Sequence, residues 1–484
     1  MAGVTLPPPL DAGLAAELRA LLGDEGVLTS PSEMLVYESD GLVAYRVPPR
    51  AVILPRDTAE TAFVLRALAE QRIPFVARGA GTGLSGGALA LEEAVVVSTA
   101  RMGQVLELDA ANRRARVQPG VINAELSRLA APHGLYFAPD PSSQSACTLG
   151  GNVAENAGGP HCLKYGVTTD HVLALTVVMP DGSVLEMGGD GETIGYDLVG
   201  LWVGSEGTFG IATELTLALA SLPEARATML AIFDRLDDAS HAVSDVIGAG
   251  LLPAALEMID QATIRAVEAS IFAAGYPVDA AAALVIEFDG ARAGLDEEAA
   301  RAADICTARG AREVRLANDD TERDALWRGR KKAFGALGRL APELLVQDAV
   351  VPRTALPRVL ARVMEIGAEH GLRIANVFHA GDGNLHPCIL FDRRDPDQLE
   401  RVERASREMM RVCVEAGGTV TGEHGIGLDK REYMNGLFDE PTLQAMCSVK
   451  RVFDPAGLAN PAKVLPVRVC REWVGPATRV KVAP

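Results

Sequence analysis

A short predicted strand at Pro74–Arg78 leads into the loop Arg78-Gly79-Ala80-Gly81-Thr82-Gly83-Leu84-Ser85-Gly86-Gly87. Because glycine has no Cβ, consecutive backbone N–H groups of such a loop can approach a phosphate, which predicts an anion-binding nest. Gly81, Gly83 and Gly86 also satisfy the pattern G-x-G-x-x-G. The dinucleotide-binding fingerprint requires a long helix after that pattern, whereas this loop runs almost at once into a predicted strand. An NAD-dependent dehydrogenase is therefore disfavoured.

Further loops rich in glycine and small polar residues occur in the same part of the chain. They are Asp140-Pro141-Ser142-Ser143, Thr148-Leu149-Gly150-Gly151-Asn152, Asn156-Ala157-Gly158-Gly159 and Gly204-Ser205-Glu206-Gly207-Thr208-Phe209-Gly210. A single loop of this kind is more often a tight structural turn. Several within one domain indicate backbone wrapped around one extended ligand.

Length and charge exclude several classes of protein. The chain has 484 residues, 48% hydrophobic and 23% charged, which predicts two or three globular domains without disordered segments. The net charge is -18 and no basic run stands out, so neither a nucleic acid nor an anionic membrane is an expected partner. No apolar segment reaches the roughly 20 residues of a membrane-spanning helix.

The termini and cysteines bear on location and electron transfer. The N-terminal sequence lacks the basic start and apolar core of an export signal, so we expect a cytoplasmic protein, at most peripheral to a membrane through partner subunits. Seven cysteines without a C-x-x-C pair predict reduced thiols and no iron–sulfur cluster. Electrons collected by this chain would have to leave through another protein or acceptor.

The order of predicted elements indicates an α+β fold. A hairpin is predicted from strands Val172–Met179 and Val184–Met187 around Pro180-Asp181-Gly182. Residues 229–316 alternate strand and helix, which predicts helices packed on one sheet. Longer helices are predicted over roughly Asp320–Leu340 and Leu356–His370, and the tail after Gly427 reads as mostly helical.

Two histidines flank one predicted turn. The segment from Ile374 to Phe391 reads as strand, Asp-Gly turn and strand, which would bring His379 and His386 opposite each other. Two imidazoles at matched distances from a turn favour metal ligation, although a histidine beside a turn is often structural.

A carboxylate and an imidazole are neighbours in Gly422-Glu423-His424-Gly425-Ile426-Gly427. Since adjacent side chains usually point in different directions, we assign Glu423 to a His-His-Glu metal set and His424 to the substrate hydroxyl as general base. The alternative is a surface turn with a chance acid–histidine pair.

An anionic substrate needs a cation, and Arg328 and Arg330 are candidates on the helix predicted around Trp327. They are two residues apart and so lie on different faces, and one of them could face inward. Asn376 and Asn384 are weaker polar candidates.

These motifs resemble the FAD-binding oxidoreductases of the vanillyl-alcohol-oxidase and D-lactate-dehydrogenase type, from about Tyr37 to about Pro466. Within that family, Y-E-S-D-G-L-V-A-Y-R and A-G-G-P-H-C-L-K-Y-G look especially like the flavin subunits (D subunits) of bacterial glycolate oxidases. The first loop has no histidine or cysteine for covalent attachment, so dissociable FAD is implied. By resemblance, the FAD-binding residues are Arg78, Gly79, Gly81, Thr82, Gly83, Leu84, Ser85, Gly86, Pro139, Asp140, Ser142, Thr148, Gly150, Gly151, Asn152, Asn156, Gly158, Gly159, Glu206, Gly207, Gly210, Ile211 and Asn460.

The resemblance also covers the second half of the chain. H-A-G-D-G-N-L-H and G-E-H-G-I-G look like the motifs that hold a divalent metal and the catalytic base in D-2-hydroxyacid dehydrogenases, which supports His379, His386 and Glu423 as ligands and His424 as base. Zinc, manganese and iron all suit such a set. The W-x-x-R-K region favours Arg330 over Arg328 for the substrate carboxylate.

The fold implied is a two-part FAD-binding domain of the vanillyl-alcohol-oxidase kind over residues 1–221. A ferredoxin-like α+β substrate (cap) domain with the metal site would span 222–426, and a helical segment over 427–484 would return to the FAD domain. The implied activity is oxidation of glycolate or a small D-2-hydroxy acid to the 2-oxo acid, in a glycolate oxidase with a second flavin-fold subunit and an iron–sulfur subunit.

Two alternatives stay open at this point. One is a stand-alone D-lactate or D-2-hydroxyglutarate dehydrogenase that passes electrons to a quinone, a cytochrome or an electron-transfer flavoprotein. The other is a non-catalytic flavin scaffold, which the presence of His379, His386, Glu423 and His424 disfavours.

Overall fold

The computed structural model describes residues 7–42, 44–91, 93–189 and 195–470, so the end of the predicted C-terminal segment, 471–484, lies outside the described residues. The chain divides into two compact units. Unit 1 comprises Met1–Gly158, Val167–Leu222 and Glu423–Pro484, and unit 2 comprises Gly159–Gly166 and Pro223–Gly422. The short segment Gly159–Gly166 thus belongs with the later part of the chain.

Up to residue 222 the chain mixes short strands and helices. The strands are β1 (Val27–Leu28), β2 (Val52–Ile53), β3 (Phe75–Arg78), β4 (Val95–Ser98), β5 (Val105–Asp109), β6 (Arg114–Val117), β7 (Leu135–Tyr136), β8 (Val172–Val178), β9 (Val184–Gly188), β10 (Ile211–Ala218) and β11 (Ala220–Ser221). The helices are α1 (Ala12–Leu22), α2 (Pro31–Met34), α3 (Thr58–Glu70), α4 (Asn123–Ala130), α5 (Leu149–Glu155), α6 (Cys162–Tyr165), which lies in unit 2, and α7 (Leu198–Trp202).

Two sheets carry the loops of unit 1. One has the order β1-β2-β4-β3, with β2 and β3 parallel to β4, and the other has the order β5-β6-β10-β8-β9 with antiparallel pairing. The predicted hairpin is confirmed as β8 and β9. The described residues between β3 and β4 contain no helix, as the glycine-loop argument requires.

Residues 458–460 return to the first sheet of unit 1. The amide of Phe75 in β3 donates to the carbonyl of Leu458 (2.9 Å), and the amide of Asn460 donates to the carbonyl of Phe75 (2.8 Å). Leu458 and Ala459 are thereby buried in the same apolar core as Leu65. These pairings place Asn460 beside the strand from which the first glycine loop starts.

Unit 2 contains the strand–helix alternation predicted for residues 229–316. Its strands are β12 (Ala225–Phe233), β13 (Ala255–Asp260), β14 (Ala282–Gly290), β15 (Ala311–Leu316), β16 (Glu343–Val346), β17 (Ala349–Val350), β18 (Arg373–Phe378), β19 (Asn384–Leu385) and β20 (Pro387–Phe391). Its further helices are α8 (Leu236–Gly248), α9 (Gln261–Glu268), α10 (Leu295–Ala308), α11 (Asp320–Lys331), α12 (Ala333–Leu337), α13 (Leu356–Glu369) and α14 (Pro396–Glu415).

One seven-stranded sheet, ordered β15-β12-β14-β13-β18-β20-β16, organises unit 2. Its central strands β13 and β14 are buried on both faces, so a charged side chain there needs a partner within the protein. The predicted α+β fold class is confirmed.

Three local expectations need correction. The helix predicted over Asp320–Leu340 is broken at Lys332 into α11 and α12. After Gly427, α15 (Met434–Leu437) and α16 (Glu440–Phe453) are helical, whereas residues 454–470 form turns and coil. The prediction that all cysteines are reduced is wrong for Cys447 and Cys470, which form a disulfide.

Helices long and apolar enough to cross a membrane are absent from the described part of the chain.

Candidate active site

The first glycine loop has the form of an anion nest. Among the described residues, no hydrogen bond is donated by a backbone amide of residues 80–84. A Cβ on Gly83 would meet no atom within 4 Å, so the backbone is open to a ligand there. Gly81 has a φ of 71°, which favours glycine. The loop therefore offers unused N–H donors of the kind that bind a pyrophosphate.

Arg78, at the start of this loop, binds the backbone of residues 36–39. Its side chain is buried, and Nη2 donates to the carbonyls of Ser39 (2.8 Å) and Val36 (3.3 Å). Burial lowers the pKa of Arg78, partly offset by the nearby Asp40 carboxyl. The charge of Arg78 thus holds residues 36–40 next to the loop that starts at Gly79.

The structure brings several of the predicted cofactor loops of unit 1 together. A Cβ on Gly79 would lie 2.3 Å from Oγ1 of Thr148, which caps the N-terminus of α5. Nδ2 of Asn460 donates both to the carbonyl of Gly87 (3.0 Å) and to that of Glu206 (2.7 Å). The first loop, the α5 segment and the Glu206 loop therefore meet, as expected for loops around one extended ligand.

The other predicted cofactor residues lie in or beside these loops. Within unit 1 these are Thr82, Leu84, Ser85, Gly86, Pro139, Asp140, Ser142, Gly150, Gly151, Asn152, Asn156, Gly158, Gly207, Gly210 and Ile211, whereas Gly159 falls in unit 2. Ser142 is exposed, and Ile211 is buried at the start of β10. A Cβ on Gly210 would lie 2.4 Å from the carbonyl oxygen of Val178, so this glycine is required for close strand packing.

Glu206 fixes the turn that follows His424. Its carboxylate accepts hydrogen bonds from the amides of Ile426 and Gly427, both at 2.7 Å. His424 and Glu423 are half-buried, with His424 Nε2 4.0 Å from Glu423 Oε1. The side chain of Glu206 is thus occupied by the protein, and it connects the loop before β10 to the predicted base.

Two further ionisable side chains, Glu155 and Lys463, lie near Glu206. Burial raises the pKa of Glu155 well above its ordinary value, and the Glu206 and Asp40 carboxyls add to this effect. Burial lowers the pKa of Lys463 to about 7, against the attraction of Asp40 and Glu206. Nζ of Lys463 donates to the carbonyls of Gly87 (3.1 Å) and Leu89 (2.8 Å). The end of the first glycine loop is therefore held by hydrogen bonds from an ionisable side chain.

In unit 2 the predicted hairpin brings His379 and His386 together. Strands β18 and β20 pair antiparallel, with Asn376 opposite Pro387, and the chain turns through Ala380–Asp382 and Gly383. The two imidazole centroids are 5.2 Å apart and the rings are nearly perpendicular. Both side chains are buried. The predicted convergence of two imidazoles is confirmed.

Each imidazole is oriented by an oxygen acceptor. Nδ1 of His379 lies 2.8 and 3.0 Å from the two carboxylate oxygens of Glu257, and Nδ1 of His386 lies 3.2 Å from the carbonyl oxygen of Gln347. A carbonyl or carboxylate oxygen can only accept, so Nδ1 carries a proton in both rings, and Nε2 is the nitrogen that carries the lone pair when the ring is neutral. Histidines that bind a metal through Nε2 are held in this way, so the donor set fits a divalent cation.

Arg330 is the inward-facing arginine of α11, and Arg328 is exposed. Nη2 of Arg330 lies 2.5 Å from Glu257 Oε2, and both side chains are fully buried. Nε, Nη1 and Nη2 of Arg330 are all buried and have no hydrogen-bond partner in the described part of the chain, so the contact of Nη2 with Glu257 is an ion pair rather than a well-directed hydrogen bond. Burial alone would raise the pKa of Glu257, but Arg330 and His379 keep it below its ordinary value. Arg330 therefore has unused donors suited to an anion.

Asp348 holds the chain next to the last predicted ligand. It accepts hydrogen bonds from Thr421 Oγ1 (2.6 Å) and from the amide of Gly422 (3.0 Å), and its Oδ1 is 3.8 Å from Nδ1 of His386. A Cβ on Gly422 would lie 2.5 Å from Nδ2 of Asn384, so a side chain there would have to displace the Asn384 amide. Asn384 therefore packs against the segment preceding Glu423. Asn376 instead donates to Asp260.

Sequence reasoning missed Glu257, Asp348 and Glu287. Glu287 accepts from Thr228, Arg323 and the indole N–H of Trp327, and its Oε1 lies 3.6 Å from Nε2 of His161. A usable signal was present for two of the three, because Glu257 and Glu287 interrupt otherwise apolar strand sequences. An acid inside a buried strand must be paired, which marks it for attention.

Comparison with known proteins identifies the family. Residues 49–188 match the family described as "FAD binding domain", and residues 222–464 match "FAD linked oxidases, C-terminal domain". The chain belongs to the family of FAD-linked oxidases, and the predicted binding of FAD is confirmed.

Individual relatives cover nearly the whole chain. It is 47% identical to "Glycolate oxidase subunit GlcD" of Escherichia coli (strain K12), over 92% of this chain and 90% of the relative. It is 32% identical to "D-lactate dehydrogenase" of Anaerostipes hadrus, over 93% and 95% respectively. The fold is shared with p-cresol methylhydroxylase, with a TM-score of 0.80 at 16% identity over 96% of this chain and 99% of that one.

Proposed function

We propose that this protein uses FAD to oxidise glycolate or a small D-2-hydroxy acid to the corresponding 2-oxo acid. The observation that carries the proposal is the pair His379 and His386, both held with Nε2 as the electron-pair donor, in the unit that also buries Arg330. Similarity to a glycolate oxidase subunit and to a D-lactate dehydrogenase supports the same class of substrate.

Each residue has a role in this proposal. Arg330 pairs with the substrate carboxylate through the donors that Glu257 does not use. His424 accepts the proton of the substrate hydroxyl. The glycine loops of unit 1 would hold dissociable FAD, which would supply the hydride acceptor.

His379, His386 and Glu423 would hold one divalent metal: zinc, manganese or iron. Glu423 follows Gly422 directly in the chain, and Asp348 fixes Gly422 in the unit of the two imidazoles. Such a metal would lower the free-energy cost of negative charge on the hydroxyl oxygen.

The physiological assembly is part of the proposal. The described residues contain no group of cysteines that could hold an iron–sulfur cluster, and the relative from Escherichia coli is named as a subunit. We therefore place this chain with a second flavin-fold subunit and an iron–sulfur subunit. The alternative, a D-lactate dehydrogenase active alone, is favoured by the 32% identical relative.

Anaerobic mixing tests the activity. The purified yellow protein is mixed with glycolate, D-lactate, D-2-hydroxyglutarate, L-lactate or L-2-hydroxyglutarate. Flavin absorbance at about 450 nm is followed. We expect glycolate or a D-acid to bleach the flavin and the L-isomers to leave it oxidised. A flavin that no hydroxy acid reduces would instead indicate a non-catalytic scaffold.

A further inference from the structure

Glu257 lies between two groups that the proposed function uses separately. On β13, its carboxylate accepts from Nδ1 of His379 at 2.8 Å through Oε1, and its Oε2 lies 2.5 Å from Nη2 of Arg330. The exposed side-chain fractions of Glu257, Arg330 and His379 are 0%, 0% and 5%. One buried carboxylate therefore contacts both the predicted substrate-binding arginine and a predicted metal ligand.

Because Glu257 is buried, its carboxylate must be paired with another charge in the protein. An ionised carboxylate inside a protein costs several kcal/mol unless it is paired, and Arg330 supplies the pairing charge. The paired carboxylate then accepts the Nδ1 proton of His379, which excludes the tautomer that protonates Nε2. Nδ1 of His386 instead lies 3.2 Å from the neutral carbonyl oxygen of Gln347 and 3.8 Å from Oδ1 of Asp348, so its shortest contact is to an uncharged oxygen and is weaker.

We infer that Glu257 is a positioning residue for the metal site, which fixes the tautomer and ring orientation of His379 while neutralising Arg330. This inference rests on the proposed function. Loss of an outer partner of a metal-bound histidine typically weakens metal binding by about 10- to 100-fold. Glu257→Gln should therefore weaken the metal without removing any metal ligand.

The test measures metal affinity of the FAD-loaded protein rather than turnover. The metal-free holoprotein is titrated with Co²⁺, whose visible absorption reports the ligand set, and bound metal is counted after dialysis. Glu257→Gln should bind Co²⁺ about 10- to 100-fold more weakly than wild type with an unchanged FAD content. His379→Ala is the positive control and should bind Co²⁺ more weakly still.

Glu287→Gln is the matched control. Glu287 is also buried on the neighbouring strand β14 and also pairs with an arginine, Arg323, and its contacts do not include His379. If the loss in Glu257→Gln came from disturbing a buried ion pair in this sheet, Glu287→Gln would lose metal equally. We expect its Co²⁺ affinity to stay within about twofold of wild type.

A double variant distinguishes loss of the contact with His379 from the effect of an unpaired positive charge on Arg330. In Glu257→Gln the guanidinium of Arg330 loses its partner, and this positive charge could itself repel a cation or unfold the domain. Glu257→Gln with Arg330→Met removes both buried charges, a replacement that proteins often tolerate. It should fold and still bind Co²⁺ at least about tenfold more weakly than wild type.

The outcomes are distinct. Wild-type Co²⁺ affinity in Glu257→Gln or in the double variant, together with loss in His379→Ala, would overturn the positioning role and leave the proposed function intact. A wild-type protein that binds no Co²⁺ and yet is reduced by a hydroxy acid would overturn the metal set and this inference together. Equal loss in Glu287→Gln would also overturn the inference.

Discussion

Oε2 of Glu206 accepts a 2.7 Å hydrogen bond from the backbone amide of Gly427, 221 residues further along the chain. The neighbouring amide of Ile426 occupies the other carboxylate oxygen. A residue in a predicted cofactor loop thus fixes the turn behind the predicted base, His424. Two backbone donors on one buried carboxylate form strong, charge-assisted hydrogen bonds.

Glu206→Gln should disturb this turn. The amide side chain has one oxygen for two donors, so one buried N–H would face an NH₂ group and lose its partner. We expect the free energy of unfolding to fall by about 1–3 kcal/mol and kcat to fall by roughly tenfold. Urea unfolding and steady-state kinetics measure the two effects. Glu214→Gln, which breaks a surface pair with Arg116, is the control and should change stability by less than about 1 kcal/mol.

His424→Ala should lower turnover of the hydroxy acid by roughly 10²–10⁴-fold, because the variant has no group to accept the hydroxyl proton. FAD content should be unchanged, since His424 is not among the glycine loops. The exposed His133 of unit 1 provides the control, and His133→Ala should keep wild-type turnover. Near-normal turnover in His424→Ala would mean that another group is the base.

Local pattern predicted much of the fold. The alternation of strand and helix in β12–β15 follows from hydrophobic periodicity, and the His379–His386 pair follows from equal spacing about one turn. The glycine loops were recognisable because their function depends on backbone, which the residue type determines directly.

Long-range pairing was not predictable in the same way. Glu257 is 122 residues from His379, and no local rule joins them. The placement of Gly159–Gly166 in unit 2 depends on pairs such as Tyr165 with Asp289, and the disulfide of Cys447 depends on the path of the chain to Cys470. Such contacts are set by which strands are neighbours in a sheet.

Gly83→Ala should separate cofactor approach from folding. A methyl group there meets no atom within 4 Å, so the thermal stability of the FAD-free protein should be unchanged. The same methyl group would occupy open space beside this loop and should weaken FAD binding by about tenfold or more. Gly103→Ala, at an equally open glycine, is the control. Equal FAD affinity in both variants would remove this loop from the FAD site.

Titration of Asp40 should make the free energy of unfolding depend on pH. Burial raises its pKa to about 6, although the Leu42 amide, Lys463 and Arg78 oppose the shift. Because the folded protein holds this proton more tightly than the unfolded chain, the stabilisation is complete below about pH 4 and is lost as pH rises through about 6.

Asp40→Asn has no proton to lose at this position. Its free energy of unfolding relative to wild type should therefore increase by about 2–3 kcal/mol between pH 4 and pH 7 and then level off. Urea unfolding of both proteins across this range measures the difference. A difference independent of pH would show that Asp40 titrates normally in the folded protein.

A single-turnover experiment measures whether oxidation of the hydroxy acid is coupled to flavin reduction and requires the metal. The holoprotein is mixed without oxygen with glycolate or D-lactate, and the 2-oxo acid formed is counted against flavin reduced, before chelation, after chelation and after metal is restored. We predict one 2-oxo acid per reduced flavin, loss of reduction on chelation and recovery with Zn²⁺, Mn²⁺ or Fe²⁺. Flavin that stays oxidised with both acids, while dithionite reduces it, would show that the protein does not oxidise these hydroxy acids.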